Sequence, residues 1–335
     1  MGGSNWNFRN GNYTVDGTGS TATQGTSALL SVGSNSGGVF ALNVQNNGAF
    51  TTGFDFTEVI TGGTVNVTRG GMLNVLGSFR INNGGTVNVA EGGTINASGT
   101  FANVVVNAGG TLRGNGTLNA TSGVINRGTI ILDSDMSEIT FNDLEIVGDY
   151  TQDSTGRIVF SLLTGDAMLL DQLDVTDGLM TLAGELAFDP LADFSSVGQY
   201  LSLGKLMDGT GTTTRTGTFD TVTGANLGDG TGLAIIYGSN FVDAQRAILG
   251  DLNLDGFVGI GDLNIVLGNW NQNVNAGVWG DGDPSGDGFI GIEDLNQVLG
   301  NWNAGIPPAG GVAIPEPGAL LVMGLGGVAL LRHGR

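Results

Sequence analysis

The chain has 335 residues, of which 62 are glycine, 6 proline and none cysteine, with 13% charged side chains and a net charge of -20. Eleven basic residues in all are too few to cover a phosphate backbone, which excludes nucleic acid as a partner. The missing cysteines exclude disulfides and thiolate sites, and the single histidine, His333 beside the C-terminus, excludes a Ser-His-Asp triad or a histidine-ligated zinc in the folded body.

From the N-terminus, Gly, Asn, Thr and Val recur in a mixture that favours short strands and tight turns. "GGTVNV" starts at Gly62 and again at Gly84, and "GGMLNVLGSF" from Gly70 aligns with "GGTINASGTF" from Gly92, both offset by 22 residues (84 − 62 and 92 − 70). A fixed offset of this size marks stacked units. Within a unit, Val65 and Val67 alternate with Thr64 and Asn66, so one face of the strand is buried. The Gly-Gly pairs at 62, 70, 84, 92 and 109 act as corners. The expected fold is mainly β: a β-solenoid (β-helix-like) over 1–240, each coil rising by about 4.8 Å, with Val65, Val67, Val87 and Val89 inside. A β-sandwich built from the same alternation is the alternative.

Strands continue less regularly towards Tyr237. "GDYTQ", "GRIVFSL", "DQLDV" and "LMTLAGELAF", between Gly148 and Phe188, resemble the passenger-associated repeats of autotransporter-like bacterial surface proteins, with Gly148, Tyr150, Gln152 and Gly156 in the matching spacing.

Next come two acidic loops, "DLNLDGFVGIGDLN" from Asp251 and "DPSGDGFIGIEDLN" from Asp283. Asp251, Asn253 and Asp255 stand at positions 1, 3 and 5, Gly256 turns the chain at 6, Phe257 offers a carbonyl at 7, and Asp262 closes at 12. Asp283, Ser285, Asp287, Gly288, Phe289 and Asp294 repeat the pattern. A hard cation takes six to eight oxygens, and alternate residues of a curled loop aim at one centre, so the spacing predicts two Ca²⁺ ions. Asn253 offers an amide carbonyl where Ser285 has a hydroxyl, which predicts the tighter site in the first loop. Each loop runs into a helix whose stripe, Leu263, Val266, Leu267 and Trp270, recurs as Leu295, Val298, Leu299 and Trp302 and is expected to pack. The loop-plus-helix pair is similar to type I dockerin over about 245–303. That resemblance implies a small α calcium-binding domain, set here at 243–303, and a cohesin-like domain or another surface protein as partner. Positions 10 and 11, often Ser-Thr in cohesin-recognising dockerins, are Ile260-Gly261 and Ile292-Glu293, and position 9 is Gly259 or Gly291, so water must supply that ligand.

A Pro/Gly-rich linker, 304–313, leads to Pro315-Glu316-Pro317, an apolar run from Gly318 to Leu331, and Arg332 and Arg335. The run is short for a membrane span, and its basic exit fits a cytoplasmic end. Together, 314–335 resemble a PEP-CTERM sorting signal, which implies export, an apolar C-terminal helix and an exosortase-type sorting enzyme as partner. Met1-Gly-Gly-Ser has neither a basic nor an apolar leader, so a truncated sequence or a misassigned start is expected.

These parts predict a non-enzymatic cell-surface or matrix protein, a stalk with a calcium-stabilised docking module and a sorting tail. The competing expectation is a polysaccharide-acting β-helix enzyme using carboxylates, with a polysaccharide as ligand. Asp149, Asp153, Asp171 and Asp174 are candidates, whereas Arg69, Arg80, Arg113, Arg127 and Arg157 lie scattered along the sequence.

Overall fold

The computed structural model describes residues 6–8, 11–24, 29–34, 38–53, 57–132, 143–162, 172–190 and 202–308. The tail expected at 314–335 and Asp171 lie outside the described residues. Within them, no helix is long and apolar enough to cross a membrane.

The described residues form 28 strands and two α-helices. The strands make three sheets, of nine, nine and ten strands, and through the body of each sheet a strand bonds to the third one along the chain, in parallel. Three strands therefore complete one coil and the next coil lies on it, which is the connectivity of a β-solenoid. Period-two alternation explains the interior. Leu42, Val65, Val87, Leu112, Ile130, Ile158, Leu186 and Val222 stack one on the next in the second sheet, all of them buried. Each such side chain contributes about 1.5–3 kcal/mol by leaving water. Phe50, Leu73, Ile95, Leu118, Ile146 and Val175 form the matching column of the third sheet.

The outward residues also stack. Asn66 donates to Asn43 and Asn88 to Asn66, both at 2.7 Å, while Asn119 donates to Asn96 and Asn96 to Asn74 at 2.7 and 2.8 Å on the third sheet. These amide ladders satisfy one coil with the next and reinforce the parallel register.

At the corner Gly92-Gly93 both glycines are required, for different reasons. Gly92 sits at φ +75°, and a Cβ on Gly93 would lie 2.0 Å from the Val67 carbonyl oxygen of the coil before it. The offset is 22 residues only in the central coils. It widens to 25 where Phe79 pairs with Val104 (104 − 79), shrinks to 18 where Thr111 pairs with Thr129 (129 − 111), and reaches 36 where Glu185 pairs with Thr221 (221 − 185).

From Asn126 on, the inward column of the first sheet turns polar. Asn126 donates to the Gln152 carbonyl at 3.1 Å, the Tyr150 hydroxyl donates to it at 2.8 Å, and the Gln152 amide donates to the carbonyls of Gly156, Ala183 and Glu185. All three side chains are buried, and the bonds from Asn126 to Gln152 and from Gln152 to Ala183 and Glu185 bridge coils, so the network fixes their stacking. Burial holds the Tyr150 phenol well above its ordinary pKa.

At the C-terminal end the direction reverses. The strand Ser202–Thr210 pairs antiparallel with Phe241–Ile248, which pairs antiparallel with Thr231–Tyr237. The expected junction at 240–243 thus coincides with the start of a strand of the third sheet. Ala234, Ala247, Ile248 and Leu249 from this hairpin share a second core with Leu252, Val258, Val266, Trp279, Ile290 and Val298.

Candidate metal centre

The second core belongs to two loop-and-helix units, whose helices are α1 (Ile260–Gly268) and α2 (Ile292–Gly300). Each loop is closed by the chain leaving the other helix. Val258 N–H donates to Ala304 and Asn303 N–H to Val258, while Ile290 N–H donates to Gln272 and Asn271 N–H to Ile290, at 2.9–3.0 Å. Every bond of one set reappears in the other 32 residues on (290 − 258). Val258 and Ile290, at position 8 of each loop, are buried between these closures.

Of the helical stripe expected to pack, only Val266 and its mate Val298 are buried. Leu267, Trp270, Leu299 and Trp302 are exposed, as are Ile260 and Ile292. Leu263 and Leu295 are partly buried against the same core. The physical reason is geometric: nine-residue helices turn only the first part of that stripe towards a core already filled by the loop closures and the solenoid hairpin, and Leu267, Trp270, Leu299 and Trp302 face solvent.

Backbone amides curl each loop around its carboxylates. In the first loop Asp251, fully buried, accepts from the N–H groups of Asp255 at 3.1 Å and Gly256 at 2.9 Å. Asp262, also buried, accepts from Leu252 and Asn253 and reaches back to the N–H of Gly259, the residue before α1, at 2.8 Å. That last contact is the acidic half of a capping box; glycine has no side chain to supply the other half. Asp255 accepts from Phe257 N–H and from the Asn253 amide nitrogen, both at 3.0 Å.

The second loop repeats the scheme with tighter convergence. Asp283 accepts from the N–H groups of Gly277, Gly286 and Gly288 and from the Ser285 hydroxyl, all between 2.8 and 3.0 Å. Asp294 accepts from Ser285 and Gly291, and Asp287 from Phe289. Carboxylate oxygens of Asp283, Asp287 and Asp294 all lie within 4.8 Å of one another, the one such trio among the described residues. Burial, with the Asp283 charge beside it, raises the pKa of Asp294. Three like charges at this distance repel in a partly buried site, and a divalent cation removes the repulsion. The donor set is all oxygen, which fits a hard cation better than zinc or copper, for which imidazole and thiolate are the preferred ligands.

In the first loop Asn253 instead spends its amide nitrogen on Asp255, so Asp251, Asp255 and Asp262 do not draw together as closely. The convergent carboxylate trio is thus the second loop's. Closure by the segments 271–274 and 303–306 went unread in the sequence, although "LGNWN" is present before both.

The centre is fastened to the solenoid. Gly286, inside the second loop, accepts from Val222 N–H at 2.7 Å, Gly277 accepts from Ile235 N–H at 2.9 Å, and Ala276 accepts from the Tyr237 hydroxyl. Trp279 is buried, with Gly232 so close that a Cβ there would stand 3.0 Å from the indole.

Away from this centre, outward residues Glu145, Asp174 and Asp208 stack in register on the third sheet. Burial first, then the charges of Asp143, Asp208 and Glu145, push Asp174 up to about 6 despite a hydrogen bond from Gln172. The scattered arginines gather too: Arg80 and Arg127 line one groove on the first sheet, Arg113 and Arg157 another on the second.

No known protein family matches the chain, and no curated protein is similar to it.

Proposed function

We propose that this is a non-enzymatic, exported surface or matrix protein whose solenoid serves as a stalk and whose terminal dockerin-like module binds calcium. The observation that carries it is the oxygen trio Asp283, Asp287 and Asp294, set in a loop bonded to the last coil. One Ca²⁺ would take Asp283, Ser285, Asp287, Asp294 and the Phe289 carbonyl, and a second Asp251, Asn253, Asp255, Asp262 and the Phe257 carbonyl, water completing each shell. The ion supplies charge neutralisation, not chemistry.

The exposed residues Ile260, Leu267 and Trp270 and their mates Ile292, Leu299 and Trp302 support a docking role towards a cohesin-like domain or another surface protein. The Pro315-Glu316-Pro317 tail supports export and processing by an exosortase-type enzyme, and its deletion from Gly318 onward should release the protein from cells.

Calorimetry on the full chain tests the core of this reading, because the strand Phe241–Ile248 belongs to the solenoid sheet and to the module core alike. Two equivalents of calcium taken up, one of them lost in Asp287→Asn, are expected, with magnesium a poor substitute. No calcium uptake would overturn it.

A further inference from the structure

The aligned repeat treats Phe79 and Phe101 as equivalent, yet the structure separates them. Phe79 is buried and pairs with Val104, because this coil is three residues longer than the one before it. The extra length turns Phe101 outward, 82% exposed, the most exposed aromatic ring among the described residues. Its backbone is nevertheless held firmly: the Ser78 hydroxyl donates to the Phe101 carbonyl at 3.2 Å, Phe79 N–H to Asn103 at 2.8 Å and Ser122 N–H to Ala102 at 2.8 Å. A ring pinned in solvent at a fixed place contributes nothing to the core.

It stands over a groove of about 570 Å³ that crosses three coils of the first sheet. Arg80 and Arg127 stand along its length, Val105 and Ile125 pave it, and Asn82, Asn103 and Asn107 bring amides to it. Asn107 donates to Asn82 at 2.8 Å and Asn82 to Glu58 at 3.3 Å, a ladder that holds these amides in place along the groove. Asp153 takes the Arg127 Nε–H at 2.6 Å, and the two Nη groups of that guanidinium have no partner among the described residues. Two carboxylates flank the groove, Glu58 in register beside Arg80 and Asp153 beside Arg127, and neither is among the residues that line it.

We infer that this groove binds an extended acidic polysaccharide, one bearing uronate carboxylates, with Phe101 stacking on a sugar ring and the Nη groups of Arg127 meeting its carboxylates. An exposed aromatic face with amides beside it suits the apolar face and hydroxyl rim of a pyranose, and guanidinium forks suit carboxylates bidentately. The coil rise of about 4.8 Å spaces these groups along the axis at intervals comparable to those of sugar rings in an extended chain. The inference deepens the surface-protein reading by giving the stalk a ligand, and it is independent of the calcium centre.

Affinity electrophoresis and calorimetry of the full chain with oligogalacturonate and with a neutral glucan oligomer, in EGTA, provide the test. EGTA removes calcium bridging between two anions and keeps this result separate from calcium uptake. Oligogalacturonate should bind and the neutral glucan only weakly. Phe101→Ala and Arg127→Gln should each weaken binding about tenfold, while Arg113→Gln, in the other groove, changes nothing. Circular dichroism should stay unchanged for Phe101→Ala, since the ring is exposed. Absence of binding, equal binding of the neutral glucan, or wild-type affinity in the Phe101→Ala, Arg127→Gln double variant would overturn the inference.

Discussion

The coil stack and the terminal loop pair both repeat a unit of sequence, one at about 22 residues and the other at 32, but only the second closes on itself. In the stack each coil touches the coil before and the coil after, so its order is nearest-neighbour order and the last coil leaves a sheet edge unfinished. In the loop pair each unit completes the other, Val258 bonding to Ala304 and Ile290 to Gln272, and no edge is left. Repetition without closure makes a rod; repetition with a two-fold makes a stopper. Here the stopper sits on the rod's end, where antiparallel Phe241–Ile248 has already ended the parallel run.

The largest effect should come from breaking the seam between the two. Trp279→Ala removes a buried indole from the shared core and is expected to cost about 3–5 kcal/mol, read as a loss of cooperative melting between solenoid and module. A variant that melts in one wild-type-like transition would show that the seam carries little. Next comes the ion. Because its ligands converge only in the folded loops, calcium at a hundredfold excess over Kd should add about 2.7 kcal/mol, visible as a shift of the shared melting transition that EGTA abolishes. In Trp279→Ala, where the two parts melt apart, the shift should fall on the module alone, so an equal shift of the solenoid would erase the contrast.

Gly93→Ala strikes the rod alone. A Cβ 2.0 Å from the Val67 oxygen forces two coils apart, at about 1–3 kcal/mol, and hydrogen exchange should rise in those coils while the loops keep their protection. The smallest effect concerns acid. Asp174 is raised to about 6, so below its ordinary value of 3.8 it is protonated in folded and unfolded chains alike. Between those values the unfolded chain releases the proton and the folded chain keeps it, so stability falls as pH rises through that window. Asp174→Asn should remove this slope and leave the protein somewhat more stable at pH 7, measured by chemical denaturation at pH 4 and pH 7. An unchanged slope would place the burden elsewhere.

The parts legible in the sequence were those governed by local period. Val65 over Val87 follows from two residues per strand repeat and one offset, and Asp283, Asp287 and Asp294 follow from alternate positions in a curled loop. What escaped was whatever depends on which segment lies next to which. Phe101 reads like Phe79 because the letters match, but strands pair by coil geometry, and a longer corner shifts the match to Val104. Arg80 and Arg127 look unrelated across 47 residues (127 − 80) and come to line one groove with a single coil between them. Leu267 and Trp270 lie on a regular helical stripe, yet the space they would fill belongs to the hairpin strand and to Trp279. Periodicity names the buried face of an element only when the element is wide enough to need all of it.

The reversal at Phe241–Ile248 also decides how the protein would bear load. A pull on the C-terminus enters through the loop closure near Ile306 and passes along the chain to this strand, with the bond from Val222 to Gly286 as a second route into the last parallel coil. Force directed along the solenoid axis meets the strands sideways, so their hydrogen bonds open one after another instead of resisting together. The stack, about 40 Å tall at one strand spacing per coil, would then give way coil by coil from that end, lengthening in steps while the coils beyond stay folded. A stack loaded in this way would yield gradually under tension, with the loop pair as the first element to feel the strain.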